Sequence, residues 1–216
     1  MKIEFKTFKD KNSLGAFAAD WLLEFSNRII GRKGVMNIAL SGGSTPRIMY
    51  NHLVLSYPEE LKWDYLDFFW SDERYDALSH PDSNAGMALK YLLQPLNIDR
   101  EHYFPMPTSY PMAVQSAMEY EDTLRSYFGV PVGIPSFDLM ILGLGSDGHT
   151  ASLFPGSKAL DETRRLVVGN WIESLQNWRL TFTFPLLNAA QQIVFLVSGS
   201  DKAQVVREIL KYHNTQ

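Results

Sequence analysis

The 216-residue chain carries 20 Lys and Arg against 24 Asp and Glu, a formal net charge of −4, and it has no cysteine. That balance excludes the basic stripe of a nucleic-acid binder, and the missing cysteine excludes disulfides, thiolate catalysis and cysteine-ligated metals while fitting a reducing compartment. No stretch approaches the roughly 20 apolar residues of a membrane span, and the opening MKIEFKTFKDK lacks an apolar core of signal-peptide length, so one soluble, cytoplasmic domain over residues 1–216 is expected, with neither nucleic acid nor membrane as partner.

Strand-like apolar runs alternate with helical periodicity. Ile3 to Phe8 is expected as a first strand. Leu14 to Ile30 places Ala16, Phe17, Ala19, Leu22, Leu23 and Phe25 at helical spacing, with Asn12 or Ser13 as the cap. Val35 to Leu40 reads as a short buried strand that ends in Ser41-Gly42-Gly43-Ser44-Thr45-Pro46, and a helix follows from about Arg47 to Leu55. Asp67 to Trp70 is the next strand, ending in Ser71-Asp72-Glu73-Arg74. Asn84 to Leu93 and Ala113 to Phe128 read as helices, with Asp82, Ser83 and Asn84 as candidate caps of the first. Tyr103 to Pro111 and Val130 to Ser136 are loops. Phe137 to Leu142, Leu180 to Phe184 and Ile193 to Val197 are further strands, and Asp201 to Tyr212 is the last helix. The Trp and Phe residues are expected in the core. Strands alternating with helices imply an α/β fold with a mostly parallel sheet covered on both faces. In such a sheet the carboxyl ends lie on one side, so residues 41–46, 71–74, 143–149 and 198–202 should converge.

The segment Phe137 to Gly156, FDLMILGLGSDGHTASLFPG, carries the most chemistry. A buried strand breaks into a glycine-rich turn that presents Asp147, Gly148 and His149. Histidine at such a place is a candidate general base, because an imidazole ordinarily ionises near neutrality. Asp147, two residues earlier, is positioned to orient it, and Thr150 and Ser152 offer further hydrogen bonds. No G-x-S-x-G elbow exists, so a nucleophilic triad is disfavoured and activation of water or proton transfer is favoured. The run Gly143 to Gly148 also spells G-x-G-x-x-G, but Asp147 would stand where a pyrophosphate belongs, and Pro155-Gly156 cut the following helix short, so a dinucleotide cofactor is rejected.

Elsewhere the pattern points to an anion. Gly42, Gly43, Ser44 and Thr45 form a glycine-rich turn into a helix, with Ser44 or Thr45 as its cap and Pro46 in its first turn, and exposed N–H groups there suit a phosphate. Arg74 is a candidate partner for negative charge, with Asp72 binding a sugar hydroxyl or orienting Arg74. Lys202 opens the last helix, where a cation is unfavourable unless an anion is near, and Arg179, just before a strand, is a second such cation. His52, His80, His102 and His213 show no metal-ligand spacing and read as structural or surface residues.

These motifs resemble the glucosamine-6-phosphate isomerase/6-phosphogluconolactonase family, and within it the 6-phosphogluconolactonases. The resemblance rests on S-G-G-S-T-P at Ser41 to Pro46, W-x-D-E-R at Trp70 to Arg74 with Ser83-Asn84 downstream, and G-x-G-x-D-G-H-T-A-S-L-F-P-G from Gly143 to Gly156. R-x-T-x-T-x-P-x-L-N-x-A at Arg179 to Ala190 and G-x-x-K-A at Gly199 to Ala203 extend it. It runs from about residue 5 to residue 210. Family members usually continue past the last helix with a segment carrying a tryptophan and an aspartate, whereas this sequence reads KYHNTQ there. The resemblance implies a Rossmann-like three-layer fold of the glucosamine-6-phosphate deaminase/ribose-5-phosphate isomerase kind, and hydrolysis of 6-phospho-D-glucono-1,5-lactone without metal or organic cofactor. The partner is a small phosphorylated sugar lactone, and the protein is expected to be a monomer or weak dimer. His149, Asp147 and Arg74 would be catalytic. Gly42, Gly43, Ser44, Thr45, Asp72, Arg179 and Lys202 would hold the substrate and its phosphate. A deaminase or isomerase of the same fold would show D-E-Y at positions 72–74 and G-H-I-A-F-N-E-P at 148–155, and the acid of that segment is absent. A sugar-phosphate sensor would lack the base or carry a DNA-binding extension.

Overall fold

The structure, a computed structural model, describes residues 3–213. Helix α1 spans Lys11–Lys33. Asp10 caps it by accepting from the Ser13 N–H at 2.7 Å, and Gly34 closes it with its N–H on the Ile30 carbonyl. The cap therefore falls on Asp10, not on Asn12 or Ser13, because the carboxylate is the better acceptor for the free N–H groups of the first turn. Residues 3–8 form no strand. Ile3 and Phe5 lie exposed, and Phe8 packs its ring on Phe17 of α1, so the segment is held by a helix face rather than by a sheet edge.

Strand β1 (Met36–Leu40) runs into helix α2 (Ser44–Ser56), and β2 (Leu66–Trp70) follows. Strand β3 (Asp72–Arg74) comes next, then helix α3 (Asn84–Ala88), which continues into a π-helical turn at Leu89–Leu93. Helix α4 spans Ala113–Phe128, and β4 covers Leu139–Leu142. Strands β5 (Val167–Ile172) and β6 (Asn177–Phe182) precede helix α5 (Phe184–Asn188), strand β7 (Ile193–Phe195) and helix α6 (Ala203–His213). The predicted strand at 180–184 is thus shifted toward the N-terminus. Pro185 lacks the N–H a ladder needs and suits the first turn of α5.

The main sheet has four strands in the order β2-β1-β4-β7, all parallel. Strands β1, β2 and β4 are buried along their whole length, as a sheet covered on both faces requires. Successive side chains of β2 divide between the faces. Phe69 packs on Phe104, Tyr127 and Phe137, below α4, while Phe68 packs on Trp63. Helices α1 and α2 pack on each other, giving a three-layer α/β architecture around the parallel sheet. The aromatic residues are not all internal: Trp171 and Trp178, paired across β5 and β6, and Phe195 on the edge strand are exposed.

A second sheet was not expected from the sequence. Strands β3, β6 and β5 form a three-stranded antiparallel unit in that order, with Asp72 opposite Thr181, Arg74 opposite Arg179 and Asn170 opposite Arg179. The charged run 72–74, expected as the end of the strand at 67–70, is therefore a strand of its own, and Arg179, expected just before a strand, lies inside β6. Glu73 is buried and fully partnered. One carboxylate oxygen accepts from the N–H groups of Arg74 and Asn84, and the other from the Ala85 N–H and the Ser83 hydroxyl, at 2.7–3.1 Å. Burial pushes this carboxyl up from its ordinary range, and neighbouring Asp72 adds to that, while the N–H groups of Ala85, Asn84 and Arg74 pull it back down. A buried carboxylate of this kind ties β3 to the start of α3. Ser83 caps α3, its side chain accepting from the Gly86 N–H at 2.9 Å. Replacing Glu73 with Ala strands these donors in a buried site and should destabilise the protein by about 3 kcal/mol, seen as a lower urea midpoint at unchanged m value.

Candidate active site

All four carboxyl ends of the parallel sheet open on the same side, and the loops leaving them touch. The β1 loop meets the β7 loop through Thr45 Oγ1 and Ser198 Oγ, 2.6 Å apart. It meets the segment after β3 through Asn84, whose carboxamide lies on Gly42. A Cβ at Gly42 would stand 1.6 Å from Asn84 Oδ1, so only glycine allows this approach. Gly43 (φ 99°) occupies the cap position of α2, and Ser44 and Thr45 are its first helical residues. Neither hydroxyl caps the helix, contrary to the sequence expectation, and no side chain does so. The N–H groups of that first turn remain available to an anion.

The turn after β4 is held by its own backbone: Gly145 N–H bonds to the His149 carbonyl at 2.7 Å, Gly148 N–H to the Gly145 carbonyl, and the Thr150 hydroxyl to the Gly143 carbonyl. His149 Nδ1 lies 2.6 Å from Asp147 Oδ1. The pair sits directly over Gly145, where a Cβ would come within 2.2 Å of the imidazole. Burial raises the Asp147 carboxyl, but the hydrogen bonds from the His149 N–H and ring outweigh it, and the net direction is down. An ionised carboxylate only accepts, so Nδ1 is the donor of this bond, and in the neutral ring the lone pair lies on Nε2. Among the described residues Nε2 has no hydrogen-bond partner. The imidazole stacks on Phe154, with ring centroids 3.9 Å apart, and stays 27% exposed, open to a substrate.

The antiparallel sheet carries two of the cations expected from the sequence. Arg74 and Arg179 sit side by side across β3 and β6. Burial lowers the Arg179 guanidinium, and the Arg74 charge lowers it further, against an upward pull from Asp72, Asp76 and Glu73. Neither arginine makes an ion pair among the described residues. Arg74 instead donates to the Asp82 carbonyl and Arg179 to the Trp178 carbonyl. Two like charges side by side repel, Asp72, Asp76 and Glu73 offset part of that, and a bound anion would offset more. Asp72 is committed elsewhere: Oδ2 accepts from the Ser152 hydroxyl at 2.8 Å and Oδ1 from Asn84 Nδ2 at 3.3 Å. It braces the loops and does not bond to Arg74. Lys202 lies in the turn before α6 and pairs with Asp201 at 2.9 Å, which lowers the Asp201 carboxyl. That neighbour already offsets the ammonium that the helix dipole disfavours. Gly148 comes against Val205, so the imidazole turn and the start of α6 adjoin.

Of the sequence-derived residues, the structure joins Asp147 with His149 and Arg74 with Arg179. It brings the Gly42–Thr45 loop against Asn84 and Ser198. No hydrogen bond links His149 to either arginine or to Lys202. Glu73, Asn84, Asn170 and Thr181 act in the site's framework without having stood out as framework residues in the sequence. Ser83-Asn84 after W-x-D-E-R was the nearest signal. His102 pairs with Asp67 at 2.8 Å, away from the site near the amino end of β2, and His80 is exposed. The side chain of His213 lies outside those described. No group of three or more potential metal ligands occurs among the described residues.

The site is an open α/β sheet with an acid–imidazole pair at its carboxyl edge and two arginines on an adjoining antiparallel sheet. The family model for glucosamine-6-phosphate isomerases/6-phosphogluconolactonase matches residues 9–216, and the chain belongs to that family. It is 45% identical over 184 residues to the 6-phosphogluconolactonase of Synechocystis, covering 84% of this chain and 74% of that protein. It is 38% identical over 211 residues to the corresponding Nostoc protein, covering 97% and 85%. The solved structure of the 6-phosphogluconolactonase from Trypanosoma cruzi superposes with a TM-score of 0.86 at 31% identity, covering 95% of this chain and 84% of that one.

Two outcomes test the site's construction. Gly42→Ala must displace the buried Asn84 carboxamide from Asp72, and should cost about 1–3 kcal/mol of stability in urea denaturation. Asp147→Asn removes a carboxyl whose pKa is lowered in the folded state, so that folding favours its ionised form. The wild type should be the more stable above the ordinary carboxylate range, by at most about 1 kcal/mol because the group is half-exposed. That advantage should shrink as pH falls through the depressed value, read from unfolding midpoints of the two proteins down to the onset of acid unfolding.

Proposed function

We propose that the protein hydrolyses 6-phospho-D-glucono-1,5-lactone to 6-phosphogluconate, the second step of the oxidative pentose phosphate pathway. The observation that carries this reading is the Asp147–His149 pair, with no hydrogen-bond partner on Nε2 among the described residues, on the sheet edge shared with the glycine loop and tied through Ser152 and Asp72 to the strand that carries Arg74. The relatives that bear the name 6-phosphogluconolactonase support the substrate class.

Lactone hydrolysis needs a base, a water and donors for the oxyanion. His149 Nε2 takes a proton as the water oxygen bonds to the carbonyl carbon. Asp147, accepting from Nδ1, holds the tautomer and stabilises the imidazolium. Arg74 faces the oxygen that gains charge. The tetrahedral intermediate then collapses: the bond from carbon to ring oxygen breaks, and His149 returns its proton to that oxygen. Arg179, Lys202 and the N–H groups of Gly43, Ser44 and Thr45 hold the phosphate. Anchoring so far from the reacting carbon fixes its distance from the base, which lowers the barrier by several kcal/mol. Gly42 and Asp72 shape this pocket through Asn84 and Ser152. The same reading takes the protein to be a monomer or weak dimer working in the cytoplasm.

The test is hydrolysis of the lactone measured against its spontaneous rate, with glucosamine-6-phosphate as control substrate. His149→Ala should bring turnover down to background while 6-phosphogluconate still binds, and Lys202→Ala should chiefly raise KM. Near-normal turnover in His149→Ala would falsify the role of the imidazole, and release of ammonia from the control substrate would replace the lactonase reading with a deaminase.

A further inference from the structure

The segment that carries His149 is bent against its own preference. Ala151 has φ 48°, in the left-handed region that a residue with a Cβ rarely adopts. Such a conformation persists only where the surroundings over-determine it. Here they do, at the next residue. Ser152 is buried and gripped by all three strands of the antiparallel sheet: its N–H donates to Thr181 Oγ1 of β6 at 3.1 Å, its hydroxyl to Asp72 of β3 at 2.8 Å, and its carbonyl accepts from Asn170 Nδ2 of β5 at 2.9 Å.

Asn170 does more than the other two. The same nitrogen donates to Ser157 Oγ at 3.1 Å, so one carboxamide holds both ends of the segment 152–157. Phe154 lies between those ends, and the His149 imidazole rests on its ring. The carboxamide is buried, and its donors are spent on protein rather than pointed at a ligand.

We infer that Asn170 is a positioning residue for His149, acting through Ser152, Ser157 and the Phe154 ring between them. The inference rests on the lactonase reading only for its kinetic readout. Loosening the segment lets Ala151 relax, Phe154 shift and the imidazole leave its line to the lactone carbon. A displacement of that order costs about 10- to 100-fold in turnover.

The test compares Asn170→Ala and Asn170→Asp with wild type. The aspartate keeps the shape but loses the donors and sets a charge against the Ser152 carbonyl. Both should lower kcat about 10- to 100-fold, with KM for the lactone and the Kd for 6-phosphogluconate held within about twofold. Both should move the His149 ring resonance in NMR spectra while that of exposed His80 stays in place. Ser157→Ala, which leaves the bond to Ser152 intact and carries little risk to folding, should give a smaller change in the same direction. Wild-type behaviour in Asn170→Asp would overturn the inference. So would a raised KM at unchanged kcat, which would assign Asn170 to its cross-strand neighbour Arg179. If the wild-type protein fails to accelerate lactone hydrolysis, the function proposed above falls, and the His149 resonance still decides the role of Asn170.

Discussion

A parallel ladder sends every strand's carboxyl end to the same edge, and this chain uses that constraint with four strands in the order β2-β1-β4-β7. The chain leaves β1 toward β2 on one side and places β4 on the other, which opens a crevice between the β1 and β4 loops. The glycine loop stands on one bank of it and the Asp147–His149 turn on the other. Neither bank could be moved to the far edge without reversing a strand that is buried along its length. The start of α2 adds a concentration of free N–H groups to the same side.

The small antiparallel sheet turns this edge into a site. Its shortest strand, β3, places two adjacent acids back to back. Asp72 faces Ser152 and the imidazole segment, and Glu73 faces the start of α3. Burying two carboxylates side by side is costly unless each oxygen is met by donors. Here the donors are the loops that must be fixed, so the requirement to satisfy the acids and the requirement to position the site are met by the same bonds. Arg74 follows on the same strand and inherits its place opposite Arg179.

Long apolar runs gave the main sheet away, since a strand buried on both faces has few sequences open to it; Met36–Leu40, Leu66–Trp70 and Leu139–Leu142 fall inside or within one residue of the predicted runs. Helix α4 matches its predicted bounds because its buried residues recur at helical spacing and Gly129, in the left-handed region, ends it. Strands β3 and β5 were illegible for the opposite reason. Asp72-Glu73-Arg74 has the composition of a turn, and becomes a strand only because β6 offers its edge and Ser83, Asn84 and Ala85 offer their hydrogen bonds. Residues 3–8 show the converse: an apolar, strand-like run takes no sheet edge because Phe8 finds α1 first. The aromatic pair Trp171–Trp178 reads as core by residue type, yet lies on the outer face of the hairpin.

The amino-acid sequence by itself determined the alternation of strands and helices, the breaks at Gly42, Gly43 and Gly145, and the proximity of Asp147 to His149, because each depends on contacts within a few residues. Only the tertiary structure decided that Arg74 lies beside Arg179, that Asp72 braces Ser152 instead of orienting an arginine, and that Asn170 holds the segment beneath the imidazole. Those pairings join residues on different strands and loops that no helical or strand periodicity relates. Their partners are selected by strand register and by the need to satisfy buried polar groups, and neither quantity exists before the chain has folded.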